Sequence, residues 1–387
     1  MSKRSQRAMT RRGFLIATGV AAMAAGLEPR RAVAQTPSAP PAPIPGKERL
    51  IVRSPRPINL ETPLGELTAY HTPEDVFYVR NNYDAPVISP DQWTVHVEGE
   101  VDRPLVLRLD DLRKLPAITQ DVTLECAGNG RAFHRPRASG IQWEYGAIGN
   151  ARWKGCRLAD MLELARVRPT GLHVAFGGAD KPPTAQAPDF IRSVPIWKAL
   201  ERHTMLAWEM NDRPIPHLNG GPVRVVVPGF IGSASNKWLE RVLIIPQEFD
   251  GPFMKRSYRA PRAEDDKETY SLQSLEVKSL IVAPAAGARL APGRVSVWGW
   301  AWSGEGELTG LDVSTDGGKT WTPGQFVGRW DRYSWRRWEF GWDAPAGRHT
   351  LMARATDSLG RVQPSSRAFN PLGYRWNVIH AATVDVA

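Results

Sequence analysis

The sequence predicts an α+β chain in two parts: a mixed α+β domain over residues 50–250, then an all-β immunoglobulin-like sandwich over 272–382. Three observations carry that prediction. Short strand and helix patterns alternate irregularly through the first stretch. A charged, weakly patterned junction at 251–271 opens with Gly251-Pro252 and passes through Glu264-Asp265-Asp266-Lys267-Glu268. Beyond it the apolar period drops to two and tryptophan becomes dense, with eight of the fifteen lying between Trp298 and Trp342. A chain of 387 residues that is 42% apolar and 23% charged can fill two such cores.

The elements follow in order. Residues 1–34 read as a twin-arginine export signal: Arg11-Arg12 in Thr10-Arg11-Arg12-Gly13-Phe14-Leu15-Ile16, an apolar stretch to about Ala25, and the small-x-small site Ala32-Val33-Ala34. That leader implies a periplasmic protein exported folded, a route suited to a chain that receives a bulky cofactor first. Residues 35–49 carry five prolines between Thr36 and Pro45 and read as a semi-rigid tether. Trp93, Val95 and Val97 share one strand face. Asp110 or Asp111 can cap a short helix to Leu115, and Asp121–Glu125 is a strand entering a glycine-bearing loop. Leu158, Met161, Leu162 and Ala165 mark an amphipathic helix over Arg157–Val167. Leu172–Phe176, Met205–Met210, Val223–Val227 and Trp238–Ile245 are strands, and Pro195 starts a helix over Ile196–Arg202. In the second part Val295, Val297 and Gly299 alternate with Ser296, Trp298 and Trp300. Asp316-Gly317-Gly318 turns a hairpin between Leu311–Thr315 and Lys319–Trp321, and Trp338–Trp342 and Thr350–Thr356 are further strands. That domain offers packing and dimerisation, with no catalytic group of its own.

Charge excludes little. The net +10 includes +6 in the leader, leaving +4 in the mature chain, which gives no argument for a nucleic-acid partner. No apolar run is long enough for a spanning helix. Two cysteines exclude a disulfide scaffold and a cysteine-rich zinc site, and the eight histidines contain no His-x-x-x-His pair. No Cys-x-x-Cys-His occurs, so no covalent haem is expected in this chain.

Chemistry concentrates in Thr123-Leu124-Glu125-Cys126-Ala127-Gly128-Asn129-Gly130-Arg131. A lone cysteine leaves a strand among small residues with an arginine five positions on, which suits either a buried core thiol or a thiolate ligand approached by a large group. Cys156 precedes an amphipathic helix and reads as packing; a Cys126–Cys156 disulfide would remove the ligand reading.

The loop resembles the Cys-Ala-Gly-Asn-Arg-Arg segment of the sulfite oxidase family of molybdenum enzymes. Phe77-Tyr78-Val79-Arg80-Asn81-Asn82 resembles that family's Phe-x-x-Arg-Asn-His, and Gly220-Gly221-Pro222-Val223-Arg224 through Gly229 is followed by Asn236-Lys237-Trp238. The resemblance runs from about residue 50 to 380, with the last part similar to the family's dimerisation domain. It implies one molybdenum–molybdopterin per chain and Cys126 as the sole protein ligand to the metal. It assigns Tyr78, Val79, Arg80, Asn81, Asn82, Asp180, Asn219, Arg224, Ser235, Asn236 and Lys237 to the pterin and its phosphate. Arg80 is implied to bind an oxyanion and Arg131 to support the site near Cys126. The implied reaction is oxygen-atom transfer to sulfite or a related small sulfur oxyanion, with electrons passing to a separate periplasmic cytochrome c or similar acceptor, in a homodimer.

Several positions depart from the family's pattern. Phe190 stands where the family has a tyrosine ahead of its Ser-x-Pro segment, here Ser193-Val194-Pro195. Gly130 replaces the first of two arginines, Asn82 and Asn219 replace histidines, and Leu372 occupies the place of a C-terminal arginine. The cofactor motifs survive better than the substrate motifs. The alternatives are therefore an S-oxide or N-oxide reductase on the same cofactor and, in another class, a secreted immunoglobulin-like binding protein.

Overall fold

The computed structural model describes residues 44–261 and 268–387; the leader, most of the tether and part of the junction lie outside the described residues. The first part is built on two five-stranded sheets. In one, Ala117–Glu125 pairs with the long strand Ile148–Arg157, which pairs with Met205–Met210; Arg213–Pro214 and Arg224–Val226 both add to that last strand. In the other, Leu239–Ile245 is central, parallel to Thr94–Gly99 and antiparallel to His173–Gly178. Leu105–Arg108 and Ile191–Pro195 form its edges. The helix Leu158–Ala165 buries Leu158, Met161, Leu162 and Ala165, the four positions set by the 3.6-residue period. They pack with Trp93, Val95, Val97 and the apolar faces of the sheet strands.

The second part is a β-sandwich. One sheet runs Lys278–Ala283, Gly293–Trp302, Arg336–Ala344, Gln325–Val327; the other runs Arg289–Leu290, His380–Val386, Gly347–Asp357, Leu308–Ser314, Thr322–Pro323. Val297, Ala301, Val313, Trp338, Trp342, Leu351 and Ala353 fill the space between them. The predicted class, mixed α+β followed by an all-β sandwich, is what the chain adopts, with few helices and short ones.

The tryptophans divide between two jobs. Trp338 and Trp342 are sandwich core. Trp300 and Trp335 stack at 4.6 Å and face the first part, donating their indole N–H groups to Leu67 O at 2.7 Å and Tyr70 O at 2.9 Å. A buried indole N–H needs such an acceptor, so these bonds fix one part on the other.

Local differences from the sequence reading have identifiable causes. The helix expected over Arg157–Val167 stops at Ala165, because Arg166 turns left-handed (φ 55°) and donates its N–H to Glu163 O. The helix after Pro195 covers only Ile196–Ala199, and the Thr204 hydroxyl ties off Lys198 O. The short helix is Leu109–Arg113, with the Asp111 carboxylate accepting from Arg108 N at 3.0 Å. In the hairpin the second strand is Thr322–Pro323, since Asp316 accepts from the backbone of Lys319 and Thr320 and consumes those residues in the turn. The last strand, His380–Val386, runs past the expected boundary at 382. The end of the expected tether is packed: Ile44 joins the cluster of Leu50 and Leu60, and Lys47 is buried.

Leu162 lies wholly inside the first core, away from the cleft described below. Leu162→Ala is expected to cost about 2–5 kcal/mol. Chemical denaturation of the purified chain checks this, with the cofactor content of the folded fraction unchanged.

Candidate active site

The strand Ala117–Glu125 ends against the second part of the molecule and delivers Cys126 to the wall of a cleft with about 670 Å³ of empty space. The loop beyond is rigid. Cys126 N donates to Ala147 O at 2.9 Å, and Asn129 N donates back to Cys126 O at 2.9 Å. Gly130 follows at φ 94°, and a Cβ there would sit 2.2 Å from the Trp376 ring, so a larger residue at this place would strain the backbone and displace Trp376. Cys126 is 8% exposed and unpaired. Cys156 is also free and wholly buried in the first core, where burial pushes its thiol up to about 12. The two thiols are therefore not bridged, and Cys156 packs as the sequence suggested.

Three chain segments converge with Cys126. The first brings Tyr78, Arg80, Asn81 and Asn82. Arg80 is folded back onto Asn82 Oδ1 at 2.6 Å and onto Asn81 O. The second brings Asn219 and Arg224. Arg224 donates to Asn219 O at 2.6 Å and Ser235 O at 2.8 Å, its guanidinium lies 5.2 Å from the Trp153 ring centre, and burial lowers its pKa to about 10. The third runs from Gly232 to Lys237. Gly220, at φ 106°, makes room for it, since a Cβ there would press on Lys237 Cγ at 2.7 Å.

Among the described residues the cleft is lined by more cations than carboxylates. Arg80, Arg224 and Lys237 line it against one carboxylate, Asp180. Burial and then the repulsion of Arg224 hold the Lys237 ammonium well below its usual range. Burial raises the Asp180 carboxyl to about 6 although Lys237 pulls the other way. Asn81 Nδ2, Ser233 Oγ and Asn236 Oδ1 are buried on the cleft wall without partners among the described residues. Surplus cations, unspent donors and one unspent acceptor fit a phosphate-bearing ligand with a polar heterocycle, and a free thiol beside them suits a soft metal.

Not every residue expected here arrives. Val79 points into the apolar cluster with Leu60 and Val76, and its backbone pairs with Leu60. Ser235 lines the cleft, but its hydroxyl is occupied by Val227 N at 3.0 Å; the open hydroxyl is that of Ser233. Arg131 does not line the cleft. It clamps the cysteine loop to the C-terminal segment, donating to Leu372 O and Ile141 O at 3.0 Å each, with its guanidinium 5.1 Å from the Tyr374 ring centre.

Two residues enter that the sequence did not single out. Tyr258 lines the cleft beside Phe190 and stacks on Tyr374 at 5.4 Å. It supplies a phenol from the junction where Phe190 cannot, and its left-handed backbone (φ 53°) carried no sequence signal. Lys47 donates to Asn219 Oδ1 at 3.0 Å and Phe77 O at 3.2 Å, so the N-terminal segment braces the cleft from behind.

Residues 82–253 match the model of the oxidoreductase molybdopterin binding domain, and residues 269–387 match that of the Mo-co oxidoreductase dimerisation domain. Human mitochondrial sulfite oxidase is 38% identical, the match covering 87% of this chain and 66% of that protein, so the chain spans about two thirds of its length. Chicken sulfite oxidase is 37% identical over 82% of this chain and 74% of its own. The Arabidopsis thaliana sulfite oxidase is 34% identical over 82% and 88%. Among solved structures, the sulfane dehydrogenase SoxCD from Paracoccus pantotrophus superposes with a TM-score of 0.78 at 28% identity, covering 93% of this chain and 96% of that one.

The burial penalty on Lys237 gives a test of the cleft's design. A lysine whose folded pKa is depressed binds fewer protons folded than unfolded, so its penalty is greatest at low pH and fades as pH rises toward about 10.4. Lys237→Met is expected to raise the melting temperature of cofactor-free protein, most at acid and neutral pH, while lowering the pterin retained per chain. Thermal scans across pH, with pterin fluorescence of the extracted protein, check both signs.

Proposed function

The chain belongs to the sulfite oxidase family of molybdopterin oxidoreductases, and on that premise we propose that it transfers an oxygen atom from water to sulfite, or to a related sulfur oxyanion, at a molybdenum centre held by Cys126. The observation that carries this reading is the placing of one free thiol on the wall of a cleft with surplus cations and unpartnered polar groups. The molybdenum cofactor, when bound, would supply oxygen-atom transfer chemistry with uptake of two electrons. For sulfite the balance is one water consumed and sulfate, two protons and two electrons released.

The chain's own residues then divide the work. The Cys126 sulfur is the soft ligand. Arg224, Lys237 and the Ser233 hydroxyl bind the phosphate, Arg224 already oriented by Asn219 and Ser235 carbonyls. The phosphate's charge offsets the burial, and then the Arg224 repulsion, that depress Lys237. Asn81 Nδ2 and Asn236 Oδ1 offer a donor and an acceptor to the polar edge of the pterin, with Tyr78 and Asp180 beside them. Arg80, on the same wall, binds the substrate oxyanion, and Tyr258 with Phe190 closes that side against bulk water. Arg131 acts through the loop it clamps rather than by touching substrate.

Arg11-Arg12 and the leader around them support folded export to the periplasm, where a cytochrome c is the simplest one-electron acceptor. The sandwich domain, matched by a dimerisation model, supports a homodimer.

A metal count and sulfite turnover with cytochrome c on one preparation test the proposal. About one molybdenum per chain with sulfite-dependent reduction supports it. Molybdenum with turnover only of reduced dye plus sulfoxides would move the chain to the reductase alternative, and no molybdenum from a cofactor-competent host would support a binding module. Cys126→Ser is expected to abolish turnover beyond the roughly 10–100-fold loss typical of groups one step removed from a metal, with the fold retained. Unchanged activity in that variant would remove Cys126 from the site.

A further inference from the structure

Cys126 lines the cofactor cleft, whereas its neighbour Glu125 leaves the strand on the other side and reaches the second domain. There the carboxylate meets three donors. Oε1 accepts from Lys278 Nζ at 3.0 Å and from Asn129 Nδ2 at 2.9 Å, and Oε2 accepts from Trp302 Nε1 at 2.9 Å. Lys278 and Trp302 are each 1% exposed, so the pair is removed from water. Asn129 carries the connection onward. Its N–H holds Cys126 O at 2.9 Å, and its side-chain oxygen accepts from Ala147 N at 3.0 Å, while Cys126 N donates to Ala147 O. One continuous hydrogen-bond network thus runs from an ammonium of the second domain to both backbone polar groups of Cys126.

A buried ion pair is a poor way to gain stability, because apolar side chains of similar volume often serve a fold as well or better. Stability therefore does not account for a carboxylate placed directly behind the cleft cysteine and neutralised from another domain. Among the described residues, the neighbouring basic groups do not supply the balancing charge either. His380 is kept neutral by burial and then by Lys278, its Nδ1 accepting from Ile281 N at 3.0 Å, and Arg375 is engaged by Glu276.

We propose that Glu125 and Lys278 are positioning residues for the metal site, through which the second domain fixes the Cys126 loop and sets the reduction potential of the centre bound there. This rests on Cys126 being the metal ligand. A nearby negative charge favours the oxidised state of a centre and a positive charge the reduced state, and both effects are large where water is excluded. Lys278→Met leaves the carboxylate unbalanced; Glu125→Gln leaves the ammonium unbalanced while keeping the side chain's shape.

The test uses the full chain matured with cofactor. Molybdenum per chain is measured first, and then the Mo(VI/V) potential by redox titration followed through the Mo(V) paramagnetic signal. E125Q is expected to raise the potential and K278M to lower it. K278R should keep the wild-type value, and the double variant E125Q/K278M should return toward it. Loss of a merely structural contact has no reason to produce opposite signs that cancel. Unmoved potentials, or shifts of the same sense in both single variants at wild-type molybdenum content, overturn the inference alone. Wild-type protein without molybdenum overturns the metal reading and this inference with it. Should K278M fail to fold, the sign of E125Q against the double variant, which buries neither charge, decides.

Discussion

Arg80, Arg224 and Lys237 converge on one cleft whose lining, among the described residues, holds a single carboxylate, Asp180. Like charges brought together out of water repel, and the backbone must hold them there. It does so with carbonyl groups: Asn219 O and Ser235 O on Arg224, Leu218 O on Lys237, Asn81 O on Arg80. Leu218, Asn219 and Ser235 lie on the loops either side of the strand Arg224–Val226, and Asn81 is held by Asn59, whose Oδ1 accepts from Asn81 N at 2.9 Å. The cost of the arrangement is visible in the lowered Arg224 and Lys237 and the raised Asp180. A protein carrying this much uncompensated charge is built around an anion it does not itself supply, and stability is given up locally to make the site ready.

The same site depends on the junction between the two parts of the molecule. Trp300 and Trp335 stack there and use first-domain carbonyls as acceptors, and Trp302 uses Glu125. Nearby, Asp121 is buried between His71 at 2.9 Å and Arg329 of the second domain at 2.5 Å. The interface therefore resembles a core in its packing and a polar network in its specificity. Cys126 lies at its edge, at the end of a strand that pairs along its whole length with Ile148–Arg157. Rigidity of the cysteine follows from both neighbours: a nine-residue ladder on one side and a second domain on the other.

Much of the candidate site was legible in the chain because it lies in short contiguous motifs. Tyr78 to Asn82 and the run from Gly232 to Lys237 each arrive at the cleft nearly whole, and the cysteine loop delivers Cys126 to it. What misled was detail within a motif. Val79 alternates away from the cleft into an apolar cluster, and the Ser235 hydroxyl turns to a backbone N–H, leaving Ser233 open. Arg131 has the right sequence spacing, but its side chain runs toward the C-terminal segment. Tyr258, Lys47 and Lys278 reach the site from a junction, an expected tether and a sandwich strand.

By itself the sequence determined the class of fold, the amphipathic helix at Leu158–Ala165, the alternating strands of the sandwich and the thiol around which the cleft forms. These follow from periodicity and from motifs in which every participant is within a few residues of the next, so local geometry decides them. Only the tertiary structure decided which cations share a cavity and which tryptophans are core and which interface. It alone showed that a carboxylate beside Cys126 is answered by an ammonium 153 residues away. Those outcomes depend on which segments are brought out of water together. Burial is a property of the assembled chain, and no spacing along it records the distance across a packed interface.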